Sequence, residues 1–535
     1  MKQRRSKNDI RRKAEIFCRT TSAHGLAQFI RESSCPKRIF WMVIFIVAVI
    51  GNMTHSLLLF VQYFKYEATE SSTIVNENAE FPHITICNID PMSSTNIIEL
   101  LSNKSSRTYK YDVFQREQFD TLAKTYNKSH LTARVQSWHA FYENIGEEEI
   151  RRAGHSLPDF VVHCQFGASR KECNLKEDFV AFTNPSYFNC YIYRPKQPLR
   201  VTRSGAQYGL SLILFLEATN GSVHPEVYNA FSTIGNSAGA RVSIHAPSEV
   251  ADPTGDGFDV LPGHSTTISL EQEFITRLSN PHGNCTEEIK TTMFGYQVPF
   301  TMCLDYCIQM IYVKKCGCKT PFLPITNTEK EIPFCGQYDP NESTENYFHR
   351  LECETEVSKR IDAFFDRSRC SCAPSCESVE YFPIISQSKW PLAKTEASFY
   401  EKYVKERRDK SQIKSFTTLR SIDFKNRLLR SNVIRSNFLR LNINYRKLTA
   451  RKRAQVPSYA LANLWSDVGG TFGLWAGVSV ITITEVTVLT LGVCSSLCSR
   501  RRKQIREKDH ARQINSLNGY IPVYKTQTEI YDISI

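Results

Sequence analysis

Residues Ile39–Phe64 read IFWMVIFIVAVIGNMTHSLLLFVQYF, about 26 residues with no Asp, Glu, Lys or Arg. A helix of this length crosses a hydrocarbon core of roughly 30 Å with some tilt. The run is too long, and starts too late, for a cleaved signal peptide, so it reads as a membrane span. A second apolar region lies within Val456–Cys498, and its stretch Gly469–Leu489, GGTFGLWAGVSVITITEVTVL, carries Glu485 well inside. A carboxylate at mid-bilayer depth costs a few kcal/mol and therefore faces a bundle interior or a water-filled path. The chain divides accordingly into an amino-terminal tail (1–38), a first span (39–64), a large loop (65–455), a second span (456–498) and a carboxyl-terminal tail (499–535).

The net charge of +13 raises the class of nucleic-acid binders, but the charge is confined to the two tails, which carry +12 of it. Basic residues flanking spans favour the cytosolic side. Both termini are expected inside, the loop outside, and no nucleic acid is implied.

The cysteines agree with that topology. Fourteen of the 18 fall in the loop, an even number that reads as a disulfide framework in an exported domain. Cys18, Cys35, Cys494 and Cys498 lie in or beside the tails and read as free thiols. Five Asn-x-Ser/Thr acceptors, Asn103, Asn127, Asn220, Asn284 and Asn341, share the loop as glycosylation candidates. Cys316-x-Cys318 and Cys370-x-Cys372 lack the nearby histidines a zinc site needs.

In TMCLDYCIQMIYVKKC, Cys303 and Cys307 stand one helical turn apart on one face, about 6 Å along the axis. In CSCAPSC, Cys370 and Cys372 stand two residues apart on an extended segment, about 6.6 Å along it. The spacings match, so a helix can be stapled twice to a strand.

The rest of the loop reads as mixed α and β. Strand-like runs are YGLSLILFLE from Tyr208, RVSIHAP from Arg241 and FLRLNINYR from Phe438, where Leu439, Leu441, Ile443 and Tyr445 alternate with polar residues. EASFYEKYVKERRDK from Glu396 reads as a solvated surface helix, and the two tails as unstructured. ADPTGDGFD at 251–259 has Asp252 and Asp256 at calcium-loop spacing but Gly263 where the acidic ligand belongs, so it reads as a surface turn. No P-loop, HExxH or G-x-S-x-G occurs, and no metal or cofactor is called for.

Gly469, Gly473 and Gly477 recur every fourth residue, a small-xxx-small ridge that lets membrane helices approach closely. Asp467 before the ridge and Glu485 after it add acidic groups of the kind that line cation pores, as rings around a symmetry axis.

Phe81-Pro82-His83-Ile84-Thr85-Ile86-Cys87-Asn88, the order of the fourteen cysteines, His24-Gly25, and Asp467-Val468-Gly469-Gly470 leading to Gly477-Val478-Ser479 resemble the degenerin/epithelial sodium channel superfamily. Within it, SWHAFYENIG from Ser137, SYFNCYIY from Ser186, SAGARVSIHAP from Ser237 and GFDVLPG from Gly257 are similar to the invertebrate FMRFamide-gated sodium channels. The resemblance implies a homotrimer or heterotrimer in the plasma membrane, amiloride-sensitive, with a hand-shaped ectodomain like that of acid-sensing channels. Its ligands would be sodium ions, membrane lipids and an amidated neuropeptide. It assigns Gly477, Val478 and Ser479 to a selectivity filter, Ser466 and Asp467 to the outer pore, Glu485 to an acidic ring below the filter, and His24-Gly25 to a cytosolic gating motif. It also implies the bridges Cys87–Cys190, Cys164–Cys173, Cys285–Cys376, Cys303–Cys372, Cys307–Cys370, Cys316–Cys353 and Cys318–Cys335.

The sequence departs from the pattern in three places. His282 stands where the family usually has Trp or Tyr, Val478 is larger than the Ala of acid-sensing relatives, and no PPxY motif follows the second span. Three functions fit this reading: a peptide-gated sodium channel, a channel of the same fold opened by protons, by force or constitutively, and a two-span ectoenzyme or adhesion receptor. For a peptide ending in Arg-Phe-amide, Trp138, Phe141, Tyr142 and Glu143 offer aromatics beside a carboxylate that can pair a guanidinium. If helical, the three aromatics share one face at i, i+3 and i+4, a pattern that serves a packed core equally well.

Overall fold

The computed structural model describes residues 12, 15–17, 19, 21, 26–76, 79–218, 237–247, 249–286, 299–325, 331–370, 372–406 and 427–518. The chain forms two units, one of Met1–Thr69 with Pro457–Ile535, the other of Glu70–Val456. Six helices matter to the argument: α1 (Cys35–Phe64), α2 (Trp138–Ile145), α3 (Phe300–Cys316), α4 (Thr344–Lys359), α5 (Leu461–Ala476) and α6 (Val480–Asn518).

The first unit holds two helices long and apolar enough to cross a membrane, Cys35–Phe64 and Val480–Lys503. α1 begins before the uncharged run because Pro36 falls in its first turn, where a missing N–H is harmless. On α5 the buried residues Leu464, Val468 and Thr471 recur on one face, and Ser56 of α1 lies 3.4 Å from Thr471, oxygen to oxygen. α6 corrects one expectation. It continues to Asn518, so residues 499–518 are helical and not unstructured. SRRRKQIREKDHARQINSLN is rich in strong helix formers and holds no Gly or Pro to stop it.

The second unit is built on two sheets. The larger has eight strands, in the order Ala68–Asn76, Thr449–Pro457, His264–Thr276, Phe438–Tyr445, Leu210–Phe215, Val161–Phe166 and Lys171–Glu172, with Glu377–Lys389 pairing His264–Thr276 off this path. The smaller runs Phe258–Val260, Ala240–His245, His83–Asn88, Phe188–Tyr193 and Phe179–Asn184, all antiparallel. The three strand-like runs of the sequence are strands in these sheets. Leu439, Leu441, Ile443 and Tyr445 alternate into the main core with Leu212, Leu214, Ile268 and Leu270. The opposite face of the same strands is also covered, because Phe215 and Phe438 pack with Phe399, Tyr400 and Val404. The segment from Glu396 is therefore not a solvated helix. Its helical turns at Glu396–Tyr400 and Glu401–Lys405 bury Glu396, Phe399, Tyr400 and Val404 against the sheet. Its charges obscured an apolar stripe.

Seven disulfides hold this unit, and they are the pairs the family resemblance implies. Cys87 and Cys190 sit directly opposite on adjacent strands. Cys303 and Cys307 of α3 bond Cys372 and Cys370, with Cα separations of 5.9 and 6.1 Å. The second arm of this double staple is not a strand. Cys370, at φ −86° and ψ 118°, follows a short 3-10 turn, and the Cys372 N–H bonds the Cys370 carbonyl at 2.8 Å. Cys316–Cys353 joins α3 to α4, and Gly317, at φ +65°, ends α3 so that Cys318 can reach Cys335. Cys35, Cys494 and Cys498 are free and exposed, whereas Cys18 lies outside the described residues.

Candidate ion pathway

The second apolar region is two helices, not one. α5 ends where Gly477 adopts φ +63°, a left-handed conformation that costs glycine nothing. The Gly477 N–H bonds the Gly473 carbonyl at 3.1 Å, and the Val478 N–H bonds the Phe472 carbonyl at 3.1 Å. α6 then starts on Ser479. The Thr482 N–H donates to Ser479 Oγ at 3.4 Å, and the Ser479 N–H donates to Thr482 Oγ1 at 3.1 Å. This reciprocal pair is the N-terminal capping arrangement, with Thr in the place more often held by Glu. Three residues thus separate the helices and expose backbone groups inside an apolar stretch. Such irregular backbone is tolerated at membrane depth only where it is buried in protein or lines a water-filled cavity.

The faces of α5 are divided in the same way. Leu464, Val468 and Thr471 lie on the buried side. Ser466, Gly469, Gly470 and Gly473 fall on the other, exposed, and a Cβ added at any of these glycines meets nothing within 4 Å among the described residues. Gly477 does not continue the ridge, since it terminates the helix. Asp467 is exposed and accepts a hydrogen bond from the Tyr459 hydroxyl at 2.7 Å. Glu485 is half-buried on α6, on the stripe that also carries Thr482 and Leu489. His24 and Gly25 lie outside the described residues.

The aromatic segment of the second unit has a different fate from a ligand pocket. α2 is helical as expected, but Trp138 and Phe141 are 2% and 1% exposed and belong to a core with Tyr111, Phe114, Phe119 and Phe348. Glu143 is also buried, and its charge is already met by Arg134 at 2.7 Å, which reaches Glu354 of α4 at 3.0 Å with its Nε. Burial pushes the Glu143 carboxyl up, opposed chiefly by Arg134. Burial works against the Arg134 charge, but Glu143 and Glu354 outweigh it and raise its pKa. Tyr142 is half-buried. The segment expected as a candidate peptide surface is packed inside, because a helix face at this spacing finds a core wherever neighbouring helices supply one.

The turn at 251–259 carries its own cation. Arg241 donates from Nε to the Pro253 carbonyl at 2.8 Å, from Nη1 to Asp259 at 3.0 Å and from Nη2 to the Thr254 carbonyl at 3.2 Å. No group of three metal-ligating side chains occurs among the described residues. The histidines of the smaller sheet are held neutral. Burial lowers His83 and His245 to about 4 each. Glu249, beside this turn, is moved the other way, to about 7, first by burial and then by Asp256 and Glu380. Asn103, Asn127, Asn284 and Asn341 are exposed, and Asn220 lies outside the described residues.

Sequence reasoning missed Thr482, Arg134, Glu354 and Arg241. Only Thr482 had a local signal, the Ser479-x-x-Thr482 spacing of a cap. Arg134 and Glu354 meet across 220 residues, and Arg241 reaches partners 12 to 18 residues on, beyond the reach of a helix or strand period.

The profile of the amiloride-sensitive sodium channel family matches residues 17–489, which include the break and all seven disulfides. The chain belongs to the amiloride-sensitive sodium channel family. It is 29% identical over 531 residues to the FMRFamide-activated amiloride-sensitive sodium channel of Cornu aspersum, covering 88% of this chain and 81% of that one. It is 30% identical over 366 residues to the degenerin-like protein asic-1 of Caenorhabditis elegans, covering 68% and 39%. With the epithelial sodium channel subunit alpha of Xenopus laevis the identity is 23% over 556 residues, covering 89% and 80%. As a member of this family the chain is a sodium channel and not an enzyme, which removes the ectoenzyme reading. Its architecture is two membrane helices with a disulfide-rich, mixed α/β extracellular domain between them.

Proposed function

We propose that the protein is a subunit of a trimeric, sodium-selective channel of the plasma membrane, with both termini cytosolic, opened by an amidated neuropeptide and blocked by amiloride. The observation that carries the pore reading is the helix break at Gly477-Val478-Ser479, where backbone carbonyls and a hydroxyl stand free of regular helix within an apolar run. In a trimer, the bare glycine face of α5 lets three helices approach closely, and Asp467 and Glu485 repeat as acidic rings above and below the break. His24 and Gly25 act on this gate from the cytosol. Peptide gating is supported by likeness to the FMRFamide-activated channel across most of the chain. The second reading, gating or modulation by protons, is favoured by Glu249, whose carboxyl titrates at about 7.

Expression in oocytes under voltage clamp separates the readings. A panel of amidated peptides is applied at constant pH, then acid steps without peptide, each with and without amiloride. Amiloride-sensitive sodium current evoked by a peptide at constant pH supports the first reading. Current evoked by acid alone supports the second, and current present without either stimulus removes both forms of gating.

A further inference from the structure

The side chain of Thr482 joins both ends of the break. Its hydroxyl accepts the Ser479 N–H at 3.1 Å and lies 3.5 Å from the Gly477 carbonyl oxygen, to which it donates. Its own backbone N–H donates to Ser479 Oγ at 3.4 Å. Thr482 is 4% exposed, while its neighbours Ile481 and Ile483 are 66% and 58% exposed. A cap that served only to start α6 would need no bond back to the last residue of the preceding turn.

We propose that Thr482 is the positioning residue of ion selection, its hydroxyl fixing the Gly477 carbonyl and the Ser479 hydroxyl at the spacing that receives a partly dehydrated monovalent cation. This rests on the filter reading of Gly477-Val478-Ser479. The hydrogen-bond inventory supports it. A hydroxyl has one proton and two lone pairs. With its proton on Gly477, Thr482 Oγ1 accepts the Ser479 amide, and the Ser479 hydroxyl oxygen lies 3.4 Å from it. Ser479 Oγ then accepts the Thr482 N–H and keeps one outward lone pair, and the Gly477 oxygen likewise keeps one. Both remaining lone pairs are available to an ion, and their directions are set by Thr482. Selection among monovalent cations depends on the number, field and spacing of such oxygens, so loosening their shared anchor weakens selection even though Thr482 does not touch the ion.

The test compares Thr482→Val, which keeps the shape and removes the hydroxyl, with Thr482→Ala, which cannot clash, Thr482→Ser, which restores the hydroxyl, and Ser479→Ala. Full-length channels are opened by FMRFamide or by a Ser466→Phe background, in which bulk on the exposed face of α5 is expected to oppose close approach of the three helices. Reversal potentials are read in sodium against potassium, with surface biotinylation to count channels. The expected result is a several-fold fall in the sodium over potassium permeability ratio for Thr482→Val, Thr482→Ala and Ser479→Ala, and near-normal selectivity for Thr482→Ser. Wild-type selectivity in the two Thr482 variants beside a fall in Ser479→Ala overturns the role of Thr482 and leaves the filter standing. A Thr482→Ser channel as impaired as Thr482→Val also overturns it, since packing of the methyl would then be the cause. Unchanged selectivity in every variant removes the filter and the proposal together.

Discussion

A Cβ added to Gly51 would lie 2.7 Å from Cζ3 of Trp475, closer than side chains approach, so the indole edge rests on the bare backbone of the first membrane helix. Trp475 is two residues before the break, which makes this contact a support for the end of α5. Gly51→Val should reduce surface current through overpacking worth about 1–3 kcal/mol. Combining it with Trp475→Leu should recover part of the loss. Surface labelling and current in a double-mutant cycle measure the coupling, and strictly additive losses would refute direct contact.

The buried aromatic helix makes a second prediction, about folding. Phe141→Ala should cost about 3–5 kcal/mol through the cavity it leaves. Glu143→Ala should also be severe, because it takes away the buried carboxylate that accepts from Arg134 Nη2 and from the Gly336 N–H. Both variants should be retained inside the cell, with glycan trimming as the readout. Normal surface density with a displaced peptide dose-response curve would instead place these side chains at a binding site.

The paired bridges of α3 should be non-additive. Cys303–Cys372 and Cys307–Cys370 close chain separations of 69 and 63 residues, so either one already removes most of the loop-closure entropy. Chain-entropy estimates for such a loop are roughly 4 kcal/mol, and the second bridge adds only a small ring. Replacing one pair with alanines should lower the thermal midpoint of the detergent-solubilised channel modestly, and replacing both should lower it by more than twice as much.

Stability should carry a pH signature from Glu249. Its carboxyl is raised from 4.5 to about 7 by burial and by Asp256 and Glu380, so the folded chain binds this proton more tightly than the unfolded one. That contribution is fully present below the ordinary carboxylate value and is lost as pH rises through about 7. His83 and His245 act in the opposite sense. Burial lowers both from 6.5 to about 4, so their contribution is present above the ordinary histidine value and is lost as pH falls toward 4. Glu249→Gln should flatten the alkaline side of a thermal-melt profile and leave the acid side in place. An unchanged alkaline side would refute the shift.

Exposed sequons give a direct check of topology. Asn103, Asn127, Asn284 and Asn341 lie on the surface of the disulfide-bonded unit, so enzymatic deglycosylation should shorten the expressed chain. Changing each Asn to Gln should remove one step of that shift at a time. A chain unaffected by glycosidase would argue against an exported loop.

What the sequence by itself determined is what local chemistry dictates. An uncharged run at Ile39–Phe64 must leave water, and basic tails favour the cytosolic side, whereas spacing alone put Gly477 on a helical ridge and only the family resemblance marked Gly477-Val478-Ser479 as special. Cysteine spacing in the loop foretold a framework, and the strands with clear alternation form as read. What only the tertiary structure decided is which side of each amphipathic element meets protein. The period that places Trp138, Phe141 and Tyr142 on one face is the same for a core and for a pocket; Glu143 pairs Arg134, nine residues before it, and that same guanidinium also binds Glu354, 220 residues from Arg134. The charges after Glu396 suggested solvent, yet Phe215 and Phe438 from distant strands supply an apolar surface that draws Phe399 and Val404 inward. The turn at 251–259 reads from sequence as a surface turn, and only the fold shows Arg241 of the neighbouring strand bonded to its Pro253 carbonyl and to Asp259. Burial and charge pairing depend on neighbours that folding brings together, and a one-dimensional pattern records only the near ones.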